Sequence, residues 1–257
     1  MSNYDDKKQI YNFNSYIEEL KNIGNEILAL KDEFQNLTLD MSDNINYVSK
    51  VFSMRQFEQL QAMFDLNDNE SIILIARSMF EGSVYLSAFL KDKKLINDWR
   101  NYSYVVDKKR FDELKEKEEE IPEEVREKLE SKECKKIIAG FNNKRSWKKD
   151  KSIKELAKIA ELTHFYEIYY DLMSDYHHFG TKSFGIRYKC GDLNVIRLDT
   201  AEIKLESLNA WCLAISSVLL SLKILSMETS LFPKIELLYE EITNLPFVKI
   251  TSINYKI

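Results

Sequence analysis

Apolar residues recur at intervals of three and four along most of the chain. Between residues 5 and 37 they fall at Ile10, Phe13, Ile17, Leu20, Ile23, Ile27, Leu30, Phe34 and Leu37, a single helical stripe. Ser42 is the expected N-cap of a second helix with the stripe Ile45, Val48, Phe52, Met63 and Phe64 and a polar stretch at 55–61. Asn67 and Glu70 have capping-box spacing and open a helix over 70–91 that is apolar nearly all round. Ser152 with Glu155 opens another that runs to about Phe179, just before Gly180. Asp199 with Glu202 opens a helix to about Met227, and Pro233 starts a shorter one over 234–243. Residues 181–198 lose the helical period: FGIRY and NVIRL flank a turn-like CGD, a pattern that fits a small β-hairpin.

Composition narrows the fold class. Six Gly and three Pro in 257 residues are too few for the tight turns of an all-β fold. With 44% apolar and 31% charged residues the chain is globular. The expected fold is all-α, one helical-bundle domain over 1–257 of about seven to nine helices. Three scattered cysteines, Cys134, Cys190 and Cys212, fit a reducing compartment and offer no disulfide framework. The polar N-terminus has no apolar signal core, so a cytoplasmic location is expected. Residues 71–90 and 207–222 approach membrane character. Arg77 and Glu81 interrupt the first, and the second is short of the roughly 20 residues a span needs, so both read as buried core helices.

Two stretches depart from the core pattern. Residues 93–140 form a charged helical excursion: from 107 to 136, 22 of 30 residues are charged with mixed signs, and Pro122 stands at an expected helix N1 position. Such a run is a solvated face, or an arm through which 107–136 meets a protein partner. After Gly140 comes a basic loop with Lys144, Arg145, Lys148 and Lys149 around Trp147. It reads either as a nucleic-acid contact, with lysines on phosphates and the indole stacking a base, or as an ordinary loop whose Trp packs on the core. With a net charge of −5, no general affinity for nucleic acid is expected outside that patch.

Chemistry concentrates at two places. Arg77 and Glu81, four apart in the most apolar helix, share a face. Buried charges are costly unless paired, so the pair is either an internal packing lock or a polar pocket in which Arg77 grips an anion and Glu81 orients it. The tract DLMSDYHHFG, 171–180, puts Asp171, Ser174, Asp175 and His178 on one face, where a carboxylate-tuned His can act as acid–base. The plainer reading is a helix C-terminus whose His side chains complement the dipole. No nucleophile elbow surrounds Ser174, and His177 and His178 point about 100° apart. No metal-ligand spacing occurs, and neither metal nor cofactor is expected. The absence of GxxxxGK[ST], of GxGxxG after a strand and of GxSxG excludes P-loop hydrolysis and Rossmann redox chemistry.

The pair R-x-x-x-E in an apolar helix, followed some 90 residues later by a Tyr-rich helix ending in S-x-x-x-H, resembles a bacterial group, domain-of-unknown-function family 5677. The matching residues are Arg77, Glu81, Tyr170, Ser174 and His178, and the resemblance spans roughly 45–225. It implies an all-α core and a link to phage defence or abortive infection, with no established reaction. A looser resemblance is to HEPN-type helical ribonucleases, which carry R-x(4–6)-H in one short motif. Here no arginine precedes a histidine at that distance, and Arg77 would have to supply the cation from another helix.

Two functions follow as expectations. One is a metal-independent ribonuclease of the toxin or defence type, with Arg77, Glu81, Ser174 and His178 as its catalytic group and Lys144, Arg145, Trp147, Lys148 and Lys149 on the nucleic acid. The other is a non-enzymatic helical module that binds a partner protein or small ligand through the same pocket, a role compatible with a homo-oligomer.

Overall fold

A computed structural model describes residues 3–66, 69–117, 120–141, 146–171, 173–174, 201–227 and 229–245, with backbone alone for 3–13 and 201–203. The helices, in chain order, are α1 (Asn3–Ala29), α2 (Lys31–Gln35), α3 (Asn44–Asp65), α4 (Asn69–Lys91), α5 (Lys93–Glu116), α6 (Glu123–Glu130), α7 (Lys132–Ala139), α8 (Ile153–Ile159), α9 (Thr163–Phe165), α10 (Ala201–Ser226) and α11 (Phe232–Asn244). A π-helical turn, Tyr166–Tyr170, follows α9. The described residues are thus all-α, with eleven α-helices rather than seven to nine. The expected hairpin at 181–198 lies outside the described residues.

Helix boundaries follow local chemistry, with shifts from expectation. Asp43, not Ser42, caps α3: its carboxylate accepts from Ile45 N at 2.7 Å and Asn46 N at 3.1 Å, while Ser42 donates to Asp40. Pro122 sits at the N-cap of α6 rather than N1. The stripe over 5–37 is interrupted at Leu30, where α1 gives way to α2. Ser152 and Glu155 form the expected reciprocal capping box of α8. That helix ends early, however. Glu161 takes a left-handed φ of 60°, Leu162 N donates to Ala157 O at 2.8 Å and Glu161 N to Lys158 O at 3.2 Å, which is a Schellman stop built without glycine.

The core lies where α4 and α10 pack along each other, with α3 and α1 against α10 and α8 against α4. Trp211 of α10 is buried edge-on to Phe64 of α3 at 5.1 Å. Gly24 lets α1 come close here: a Cβ would lie 3.0 Å from the Phe64 ring and 3.2 Å from Ile215. Inside this apolar mass runs a polar seam. Gln56 Nε2 donates to Met79 O and to Ser83 Oγ, both at 2.9 Å, and Ser83 Oγ donates to Ser217 O at 2.8 Å beside Ser221. Polar residues of α3 thus contribute to the core: Gln56 from the 55–61 stretch, and Ser49 and Ser53 before it, are all buried.

Two helices, Asn69–Lys91 and Lys204–Ser226, are long and apolar enough to cross a membrane by length and composition, and 61% and 72% of their most apolar windows are buried inside the protein. The charged excursion is folded. α5 starts on the core through Leu95 and Ile96, then leaves it to meet α6 and α7 around a small second core of Phe111, Leu129 and Cys134.

Candidate functional site

Arg77, Glu81 and Tyr85 stand at intervals of four on α4 and share one flank. Tyr170 reaches them from the π-helical turn. A π turn inserts an extra residue and re-aims side chains, and such turns recur at functional sites. Here it brings Tyr169 and Tyr170 into the core. Tyr170 packs against Phe80 at 5.5 Å and Tyr166 at 5.1 Å.

The polar atoms form a relay. Arg77 Nη2 donates to Tyr170 Oη at 2.9 Å, and Tyr170 Oη donates to Glu81 Oε1 at 2.5 Å. Tyr85 Oη donates to Glu81 Oε2 at 3.3 Å, and Lys148 Nζ reaches Tyr85 Oη at 3.5 Å. A carboxylate thus sits at the centre, each oxygen taking one phenol, and each phenol oxygen taking one cation. Arg77 also approaches Glu81 directly at 3.6 Å and lies 4.9 Å from the Tyr170 ring centre. Burial, reinforced by Glu81, pushes both phenols above the usual tyrosine range, so they remain protonated donors at any working pH. The three charges sum to +1, and the buried Nε of Arg77 has no hydrogen-bond partner. The arrangement suits holding an anion: two cations flank a carboxylate that is itself occupied by donors.

The expected site residues can now be placed. Arg77 and Glu81 are a pair, as their spacing indicated. Ser174 stands one helical turn beyond Tyr170 and donates back to its carbonyl at 3.1 Å, a local bond that places it on the same helix face as Tyr170. His178 lies outside the described residues, as do Lys144 and Arg145. Trp147 packs edge-on to Tyr85 at 5.1 Å and on Phe89 at 5.4 Å, so its ring is engaged by the core. Lys148 turns inward to the relay, with Tyr85's ring centre 5.7 Å away. Lys149, at a left-handed φ of 56°, pairs with Asp98 of α5 at 3.0 Å. The basic loop is therefore clamped to α4 and α5 along residues 147–149.

Tyr85 is the member that sequence reasoning missed. Its signal was the same spacing of four that linked Arg77 to Glu81. A cleft of about 240 Å³ opens beside it, lined by Glu81, Tyr85, Gln56, Gly82, Phe52 and Trp99, with Arg55, Gln59 and Ser78 completing the wall. Among the described residues no group of three or more His, Cys, Asp or Glu could hold a metal ion.

A helical core with a cation–phenol–carboxylate relay on one of its two most apolar helices is the class of protein this geometry defines. The chain belongs to the family of unknown function DUF5677, whose match spans residues 47–192, more than half of the 257. That span contains the whole relay. No curated protein and no solved structure matches the chain.

Proposed function

We propose that the chain is an RNA-directed effector of the toxin or defence type that cleaves its substrate without a metal. The observation that carries the reading is the junction at Tyr170, whose hydroxyl bonds Arg77 and Glu81 and whose carbonyl accepts from Ser174. Arg77 and Lys148 hold a backbone phosphate, and Glu81 positions Arg77. His178, four residues past Ser174, takes the proton of the 2′-hydroxyl. The 2′-oxygen attacks phosphorus, the bond to the 5′-oxygen breaks, and the imidazolium returns the proton to that leaving oxygen. The products are a 2′,3′-cyclic phosphate and a 5′-hydroxyl.

The test is purified protein with total RNA in the presence of a chelator. Cleavage to those ends, abolished by His178→Ala and Arg77→Ala, is the expected result. Cleavage that survives both substitutions refutes the assignment.

A second reading draws support from the excursion. Its own small core makes α5 to α7 a preformed surface, as a partner-binding arm requires. In that reading the relay is a ligand pocket or a packing lock. Deleting 107–136 then abolishes partner capture while the main core stays folded, and unchanged capture counts against it.

A further inference from the structure

The cleft beside Tyr85 is not used by the chemistry above, yet Glu81 and Tyr85 belong to both. Its volume of about 240 Å³ exceeds the roughly 150 Å³ that holds a benzene ring in a dry cavity, so a two-ring heterocycle fits it. Its lining includes three aromatic rings, Phe52, Trp99 and Tyr85, of which Phe52 and Trp99 meet edge-on at 5.5 Å. One helical turn from Phe52 and Tyr85 stand the acceptors, Gln56 and Glu81. Both amide protons of Gln56 go to Met79 O and Ser83 Oγ, and a carbonyl can only accept, which fixes the orientation of that amide. Gln56 Oε1 is then left buried with no partner, in a residue that is only 2% exposed. Glu81 adds a carboxylate. Its two oxygens offer about four lone-pair sites, and the two phenols occupy one on each. Gly82 lines the cleft without a side chain, and a Cβ there would stand 3.3 Å from Gln56 Nε2.

We infer that this cleft is a nucleobase subsite that selects guanine. Guanine carries adjacent N1–H and N2–H donors on one edge, which matches an acceptor wall formed by Glu81 and the orphaned Gln56 oxygen. Its two rings stack on the aromatic lining, as bases do on such platforms. Arg55 stands in the same wall with the opposite charge to Glu81. As a subsite for the base next to the phosphate held by Arg77, the inference rests on the RNA-directed reading. The base would sit on the Tyr85 side of Glu81 and the phosphate on the Arg77 side.

Free nucleosides test it on the full-length protein, by calorimetry and by the fluorescence of Trp99 against a Trp99→Phe control. Guanosine is expected to bind, inosine, which lacks the 2-amino group, about tenfold or more weakly, and uridine not measurably. Gly82→Leu fills the cleft and is expected to abolish guanosine binding. Gly82→Ala gains helix propensity and brings its Cβ to 3.3 Å from Gln56 Nε2; it is expected to weaken binding at a urea midpoint close to that of the parent protein, which shows the fold intact. Equal binding of guanosine and uridine, no binding at millimolar guanosine, or binding unaffected by both Gly82 variants overturns the subsite. RNA cleavage by a protein that ignores guanosine overturns the subsite and leaves the cleavage reading intact. Guanosine binding by a protein that cleaves no RNA supports the cleft and overturns the cleavage reading instead.

Discussion

Replacing Tyr170 with Phe removes one oxygen from the centre of the relay and leaves the ring in place. The ring keeps its packing on Phe80 and Tyr166 and its position beside the Arg77 guanidinium. What is lost is one hydrogen bond from a cation at 2.9 Å and one to a carboxylate at 2.5 Å. Each such bond to a charged group contributes about 1.5–3 kcal/mol, so the gross loss is ~3–6 kcal/mol. Two effects reduce it. Arg77 and Glu81 are already 3.6 Å apart and can close directly, and Glu81, with its side chain 31% exposed, can take up water. A net cost of about 2 kcal/mol remains, well inside the ~5–15 kcal/mol that holds a typical domain folded. Urea unfolding reads it as a lower midpoint at unchanged slope. A double-mutant cycle with Glu81→Gln should then give a coupling of about 1 kcal/mol or more. A loss below ~0.5 kcal/mol, or additivity of the two substitutions, refutes the relay as an energetic unit.

Three further outcomes are expected. Both relay phenols are held above the ordinary tyrosine value of about 10, so their contribution is intact below about pH 10 and is lost as pH rises beyond it; alkaline unfolding followed by circular dichroism should therefore shift to higher pH in the Tyr85→Phe/Tyr170→Phe double variant, once normalised for its lower stability at pH 7. Ser83→Ala takes away the acceptor of Gln56 and the donor to Ser217 O, and should cost about 1–3 kcal/mol in urea unfolding. Phe111→Ala empties the small core of the arm, where such truncations cost about 3–5 kcal/mol; hydrogen exchange should rise across α5 to α7 beyond residue 100 and stay unchanged in α4 and α10.

The helical stripes were legible because burial on one side imposes a period, and the caps because an orphan N–H needs an acceptor nearby. Ser152 with Glu155 is the clearest case. The break at Glu161 was not legible, since the left-handed residue that stops α8 is not a glycine and only the tertiary position of the following turn requires it. The π turn at Tyr166–Tyr170 was invisible for a similar reason: its extra residue is stabilised by where Tyr169 and Tyr170 pack, not by local propensity. Arg77 and Glu81 stood out because charge in an apolar helix demands a partner. Tyr85 did not, because a tyrosine in such a helix is equally at home as a wall. Gln56 fell within a stretch that read only as polar, and nothing singled out Ser83, whereas Gln56 donates to Ser83 inside the core.

The same helix that serves as the spine of the core also carries the relay, and this determines how firmly the relay is held. One side of α4 is locked to α10 and α3 through Ser83, Ser217, Ser221 and Gln56, so α4 cannot slide along either helix without stranding buried donors. Arg77, Glu81 and Tyr85 project from that fixed axis at successive turns, so their spacing is set by helix geometry. The other partners come from separate elements: Tyr170 is buried on a π turn, and Lys148 is carried on a loop pinned by Trp147 and by the Lys149–Asp98 pair. A site built this way has one half spaced by α4 and another held in place by packing from other elements. Lys148 at 3.5 Å is the weakest link in the relay, and so the first contact a bound phosphate would replace.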